Sequence, residues 1–385
     1  MTGRTVAAIL AVTITIATAA LAGDARAEGA PDIRIGVVAG LSGPGASYGA
    51  SIQQGLEMAT NEINAAGGIG GRKISLDFAD DASDPAQSVI AMQRLVNDKV
   101  DLVVGGWGSS QVLANMSVAE RAGLPYIVVG ASNPRITTDK NKWTFRTLTN
   151  DNGHADRLAN VALDVLHFKK IAIMYDTNDY GVGLRDIFIA DLAKAGIKPV
   201  QVEAYQTNDK DFTAQLTHIA AVEPDALMLF GTLPAIAAIM NQARDLGIEA
   251  RFMGAGGLSS EAVIKLSPQA SQHAIATAYF FPTIDPEAKA WAERLEAAYA
   301  HANQPPRPSQ SAPAYLALKM IAAQCLAKVG TDKDQLRECF KTWHGHYFGL
   351  PPADEHFDAT NQLVAPLVVE EVVGQQFELL PGANN

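Results

Sequence analysis

Residues 32–73, DIRIGVVAGLSGPGASYGASIQQGLEMATNEINAAGGIGGRK, join a buried strand, a glycine-rich loop and an amphipathic helix in one unit. Ile33, Ile35, Val37 and Val38 make a short apolar strand that breaks at Gly40. The loop 42–49 then brings backbone N–H groups to the start of a helix, whose Ile52, Leu56, Ala59 and Ile63 share one face. Gly67, Gly68, Gly70 and Gly71 end that helix before the next strand. A strand, loop and helix of this kind belong to an open α/β sheet, and in such sheets ligands sit at the carboxyl ends of the strands.

The same alternation continues along the chain. Strands at 74–78, 102–105 and 125–129 alternate with helices at 85–98 and 110–122, which makes one doubly wound lobe. After a linker at 132–146 the pattern restarts. Strands at 171–175, 200–204 and 226–230 alternate with helices at 181–195, 212–221 and 235–246, which makes a second lobe. The tail reads as mostly helical over 286–343 and then as strands at 363–373 and 376–380. Right-handed crossovers turn both sets of strand ends toward a shared cleft. The 385-residue length also exceeds one ordinary core at roughly 100 to 200 residues per domain.

The first 27 residues have the three parts of a secretory signal: Arg4, an apolar stretch over 6–22, and Ala25-Arg26-Ala27 as a cleavage site. The mature chain is expected to begin at Glu28, in the periplasm of a Gram-negative cell. Thr13, Thr15 and Thr18 interrupt a stretch shorter than the ~20 apolar residues a membrane span needs. The formal charge of −11 becomes −12 when Arg4, Asp24 and Arg26, +1 in sum, leave with the signal. Such acidity argues against nucleic acid or an anionic membrane as partner.

Only two cysteines occur, Cys325 and Cys339. Cys325 falls on an apolar helix from about Ala314 and Cys339 on the next helix, 333–343; joined at Gly330, two antiparallel helices could bring the pair within bridging distance in an exported protein. Two buried free thiols are the alternative.

Enzyme chemistry finds little support. Gly43, Gly45 and Gly49 only half match a dinucleotide fingerprint, and there is no P-loop. Gly106-Trp107-Gly108-Ser109-Ser110 carries a serine at a strand-to-helix turn without the nucleophile-elbow pattern or a histidine placed to serve it. His344, His346 and His356, with Asp354 and Glu355, lie in an irregular, proline-containing loop without helical ligand spacing, so they read as solvated side chains and no metal is expected. No cofactor is implied.

A binding reading uses these residues better. Ser109 and Ser110 open a helix directly after a strand, so hydroxyls and free N–H groups point together at an anion. Gly130-Ala131-Ser132-Asn133-Pro134 repeats the arrangement after the next strand. Helix capping is the plainer role for each serine alone.

The segments SGPGASYG and NEINAAGGIGGRKI, with DDASDPAQ at 80–87, FRT at 145–147 and DFTAQL at 211–216, resemble the periplasmic leucine/isoleucine/valine-binding proteins, the solute-binding subunits of amino-acid import systems. The resemblance spans essentially the whole mature chain. It implies two doubly wound parallel-sheet lobes joined by a three-crossover hinge. Residues 28–149 with 283–360 would form the first lobe, and 150–282 with 361–385 the second. It implies a monomer that closes on one small ligand and presents it to an inner-membrane ABC permease; a ligand sensor of the same fold is the alternative, and an exported α/β hydrolase the enzyme competitor. By the family's pattern, Ser109, Gly130 and Ser132 would bind a ligand carboxylate. Tyr48 and Tyr180 would close over the ligand from the two sides, and Trp107 would add either a third wall or core packing.

Two positions depart from the amino-acid pattern. The acid that pairs with the ligand's α-ammonium falls on Gly256, and a binding tyrosine falls on Thr232. Enclosing an ammonium without a counter-charge costs several kcal/mol. The expected ligand is therefore a carboxylate without the ammonium, aromatic and other organic acids included; a branched-chain or other amino acid, with Asp151 or Asp176 supplying the acid, is the alternative. The family's first-lobe disulfide is absent, since Ser83 and Gly108 occupy its positions.

Overall fold

The computed structural model describes residues 31–138 and 140–384; the expected signal sequence lies outside them. In the first lobe, β1 (Ile33–Ala39), α1 (Ala46–Ala65), β2 (Ile74–Asp80), α2 (Pro85–Asn97), β3 (Leu102–Gly105), α3 (Ser109–Ala122), β4 (Tyr126–Val128) and β5 (Thr144–Arg146) follow in order. Their five strands form a parallel sheet in the order β2-β1-β3-β4-β5. Val37 joins the core on one face of this sheet and Val38 the core on the other, as strand alternation requires when helices cover both faces. Ile52, Leu56, Ala59 and Ile63 of α1 are all buried against it.

The chain then enters the second lobe through α4 (Asp151–Asn160), β6 (Ile171–Asp176), α5 (Asp179–Lys194), β7 (Gln201–Tyr205), α6 (Thr213–Ala220), β8 (Ala226–Phe230), α7 (Leu233–Asp245), β9 (Arg251–Gly254), α8 (Glu261–Leu266) and β10 (Ile275–Ala278). It returns to the first lobe as α9 (Pro286–Ala298), α10 (Pro308–Leu316), α11 (Ala323–Val329) and α12 (Lys333–Lys341). A small antiparallel sheet follows, built from β11 (His344–Gly345), β12 (Glu355–Phe357) and β13 (Leu363–Val364). A third passage leads to β14 (Val368–Val373) and β15 (Gln376–Leu379), which complete the second sheet in the order β15-β14-β10-β9-β8-β6-β7. The Cys325 and Cys339 sulfurs are joined between α11 and α12, with their Cα atoms 5.7 Å apart.

Two doubly wound lobes are thus present, with three local differences from the pattern. The stretch 132–146 carries β5, a buried edge strand of three residues. The strand expected at 363–373 divides at Ala365-Pro366, because proline has no N–H to give a ladder. His344 and His356, expected in irregular chain, face each other across the β11–β12 ladder.

The sheet orders locate the cleft. β1 lies between β2 and β3, and β6 lies between β7 and β8, so each sheet reverses its winding direction there. The loops after β1, β3, β6 and β8 leave these switch points on the same side.

Candidate ligand-binding site

A cavity of about 400 Å³ opens between the lobes at those loops, a size suited to one small molecule. From the first lobe Tyr48, Trp107, Ser109, Ser110, Gly130 and Ser132 line it; Tyr180, Thr232 and Gly256 line it from the second. The nine positions singled out in the sequence therefore share one wall-to-wall space. Tyr279, just beyond β10, and Gln310, on α10, line it as well, and neither is marked by any local motif.

Aromatic rings form one side. Tyr48 and Trp107 stack with centroids 4.8 Å apart and planes at 24°. Gly45 permits this, since a Cβ there would meet the Trp107 ring at 2.6 Å. The Arg307 guanidinium lies 5.1 Å from the other partner's ring, Tyr48, in cation–π range. The Tyr48 hydroxyl accepts a hydrogen bond from Leu233 N at 3.0 Å. A first-lobe side chain thereby caps α7, a helix with no cap from its own N-cap residue Thr232.

The polar side is built from helix starts. α3 has no side-chain cap, so its first-turn N–H groups remain available beside the buried Ser109. Ser109 Oγ accepts from Asn133 N at 3.3 Å, which ties the loop after β4 to this helix. Ser110 Oγ donates to Asp179 Oδ2 at 2.8 Å and accepts from Asp179 N at 3.1 Å, so this hydroxyl is committed across the cleft. Gly130 packs on the backbone after β3, where a Cβ would lie 3.0 Å from Trp107 Cα. The only charged residue on the cavity wall, among the described residues, is Asp84, and its carboxylate caps α2.

Opposite these donors the wall is open. A Cβ on Gly256 would touch only Tyr279 Cε2, at 3.7 Å, which is ordinary contact. Tyr279 thus covers the space beside Gly256.

Buried charges sit behind the wall. Asp151 is fully buried, and neither of its carboxylate oxygens receives a well-formed hydrogen bond. Burial raises it to about 7, while the neighbouring Ser132 hydroxyl and the Arg146 charge hold it lower than burial alone would. Arg146, also fully buried, spends its guanidinium on Gln362 Oε1, Asn133 O and Thr137 Oγ1, and burial lowers it to about 10. His154 donates to or accepts from Thr277 Oγ1 at 2.7 Å, and burial followed by the Arg146 charge lowers it to about 3. Asp176 is raised by burial; Thr207 Oγ1 donates to it at 2.8 Å. Neither Asp151 nor Asp176 is on the cavity wall.

Further contacts bridge the lobes around the cavity. Asn133 Nδ2 donates to Asp179 O at 2.7 Å, and Arg135 pairs with Asp179 at 3.2 Å. On the other side Ser309 N and Oγ donate to Glu261 at 3.3 and 3.1 Å, and Gln310 Nε2 donates to Gly256 O at 3.2 Å.

Similar proteins share this architecture. The family model described as periplasmic binding protein matches residues 32–376. The leucine-, isoleucine-, valine-, threonine- and alanine-binding protein of Pseudomonas aeruginosa is 31% identical over 346 residues, 89% of this chain and 91% of its own. The branched-chain amino acid transporter substrate-binding protein of Streptococcus pneumoniae, solved in complex with isoleucine, is 27% identical with a TM-score of 0.81, covering 90% of this chain and 98% of that one. A solute-binding protein of an ABC transporter from R. palustris, solved in complex with benzoate, shares the fold at 21% identity and a TM-score of 0.82, covering 92% and 96%. These relatives are solute-binding proteins and not enzymes. With two doubly wound lobes, a cavity at both switch points and a match over nearly all of its described length, the chain belongs to the periplasmic binding protein family.

Proposed function

We propose that this protein captures a small carboxylate lacking an α-ammonium, aromatic acids foremost, and delivers it to an ABC importer in the inner membrane. The observation that carries the reading is the asymmetry of the cavity wall: the uncapped start of α3 with Ser109 on one side, and Gly256 with no acid beside it on the other. Neutral donors and a helix N-terminus suit a carboxylate. The stacked Tyr48 and Trp107 suit a flat apolar body. The three passages between lobes would serve as the hinge, Tyr180 and Tyr48 as the closing walls, and residues 1–27 as the export signal of a periplasmic monomer.

A second reading, an amino acid, is favoured by the relatives' ligands and by the unpartnered Asp151 carboxylate behind Ser132. Ligand-dependent thermal stabilisation separates the two. Benzoate, phenylacetate, cinnamate and branched aliphatic or keto acids are compared with leucine, valine and phenylalanine, and only members of the acid set are expected to raise the melting temperature. Gly256→Glu, for which there is room at Cβ, should weaken the acids by like-charge repulsion. Submicromolar leucine or valine binding to the wild-type protein would overturn the proposal.

A further inference from the structure

The small antiparallel sheet of the first lobe carries a second cluster of ligating groups, far in sequence from the cleft loops. His344 on β11 and His356 on β12 are direct cross-strand partners, so their side chains leave the same face of the ladder. The flanking residues point the other way: Trp343, Glu355 and Phe357 are buried, and the inner face is anchored on the aromatic core. Asp354, two residues before His356, completes the outer group. The three side chains place one nitrogen or oxygen each within 4.8 Å of one another.

Their second contacts favour a metal over a simple ion pair. His356 Nδ1 lies 3.0 Å from the Asp354 carbonyl oxygen. Donation to that carbonyl fixes the tautomer and leaves Nε2 with its lone pair outward, the state in which imidazole binds metal. His344 Nδ1 stands 3.4 Å from Asp354 Oδ2. That is long for a charge-assisted hydrogen bond, whose usual range is about 2.7 to 2.9 Å. It matches the spacing of about 3.4 Å that two ligands keep when each lies ~2.0 to 2.1 Å from a tetrahedral zinc. The two imidazoles stack at 5.6 Å with planes 19° apart, so binding requires side-chain rotations that turn their in-plane lone pairs toward one point. His346 is turned toward the buried Glu355, at 3.4 Å, and leaves the fourth position to solvent.

We propose that His344, Asp354 and His356 form a binding site for a divalent first-row transition metal, with zinc its natural test ion. Two nitrogen donors and one carboxylate suit zinc, copper or nickel and disfavour calcium and magnesium, which prefer oxygen. A bound ion would clasp β11 to β12 across the intervening loop.

The test uses the mature chain without a polyhistidine tag, freed of metal by a chelator. Zinc titration calorimetry should find one site per chain, unaffected by excess calcium or magnesium. Both His344→Ala and His356→Ala should weaken it roughly tenfold or more, Asp354→Asn should weaken it less, and zinc should raise the melting temperature of wild type alone. Because these side chains are at the surface, the variants should melt as wild type does without zinc. Absence of binding at about millimolar zinc, or binding that survives in the double histidine variant, would overturn the proposal.

Discussion

Ser109 stands at the first position of α3 with a buried hydroxyl and an uncapped helix start around it. If it donates to a ligand carboxylate, Ser109→Ala loses a hydrogen bond to a charged group, a contribution of about 1.5 to 3 kcal/mol. Titration calorimetry with whichever acid stabilises the wild type should then show at least roughly tenfold weaker binding. Unchanged affinity would leave Ser109 a support for the loop at Asn133 only. Asp151 supports a different prediction. Its folded value of about 7 lies above its ordinary 3.8, so between those limits the folded chain holds a proton that the unfolded chain has released. Its contribution is full below the ordinary value, falls as pH rises toward 7 and is lost above it. His154, lowered from 6.5 to about 3, works in the opposite sense, and its contribution is lost as pH falls through that range. Asp151→Asn should therefore gain on wild type as pH rises from about 5 to 8, by a few kcal/mol at the upper end, as read by urea denaturation at each pH. A constant difference would exclude Asp151 as the titrating group. The cavity residues legible in the sequence each sit at a strand end or a helix start. Tyr279 and Gln310 reach the same cavity from β10 and α10, and no local pattern tells which return passage of the chain arrives there.

Helices and strands with strong periodicity, such as α1 with its four apolar positions on one face, were readable nearly to their ends. Short elements were readable only where they are unbroken apolar runs, as in β3 and β4. β5, β9 and β10 are as short but mix charged or small residues into three or four positions, and they exist because neighbouring strands accept them. The helix from α10 to α11 passes through a π-helical segment at Ala317–Ala322, a feature of packing that no spacing rule predicts. The bridge between α11 and α12 closes a short loop, the cysteines being 14 positions apart. Removing it by Cys339→Ser should cost about 3 kcal/mol, mainly through a freer unfolded chain, and lower the urea midpoint. Thiol labelling of denatured, unreduced protein taken from the periplasm should find no free thiol, and two per chain would show the bridge does not form there.

At the scale of the whole molecule, the lobes are held together by few groups, and Asp179 serves three of them: Ser110, Asn133 and Arg135. The first and third use its carboxylate. Asp179→Ala should shift the ligand-free protein toward an open arrangement, seen as a larger radius of gyration in solution scattering, with ligand affinity reduced in proportion to the closed fraction lost. The melting temperature should change little, since neither lobe's core includes this residue. An unchanged radius would assign closure to Tyr48 and its cap on α7 instead. That ring has one more consequence. Of the four tryptophans in the sequence, Trp291 and Trp343 are locked in the first-lobe core and Trp143 lies under Arg337. Among the tryptophans Trp107 alone lines the cleft, face to face with a tyrosine whose hydroxyl accepts a hydrogen bond from the other lobe's helix. The chain thus carries a built-in optical reporter: arrival of a molecule against that indole, or parting of the lobes around it, should alter its emission, and an unlabelled sample in a fluorimeter would show both.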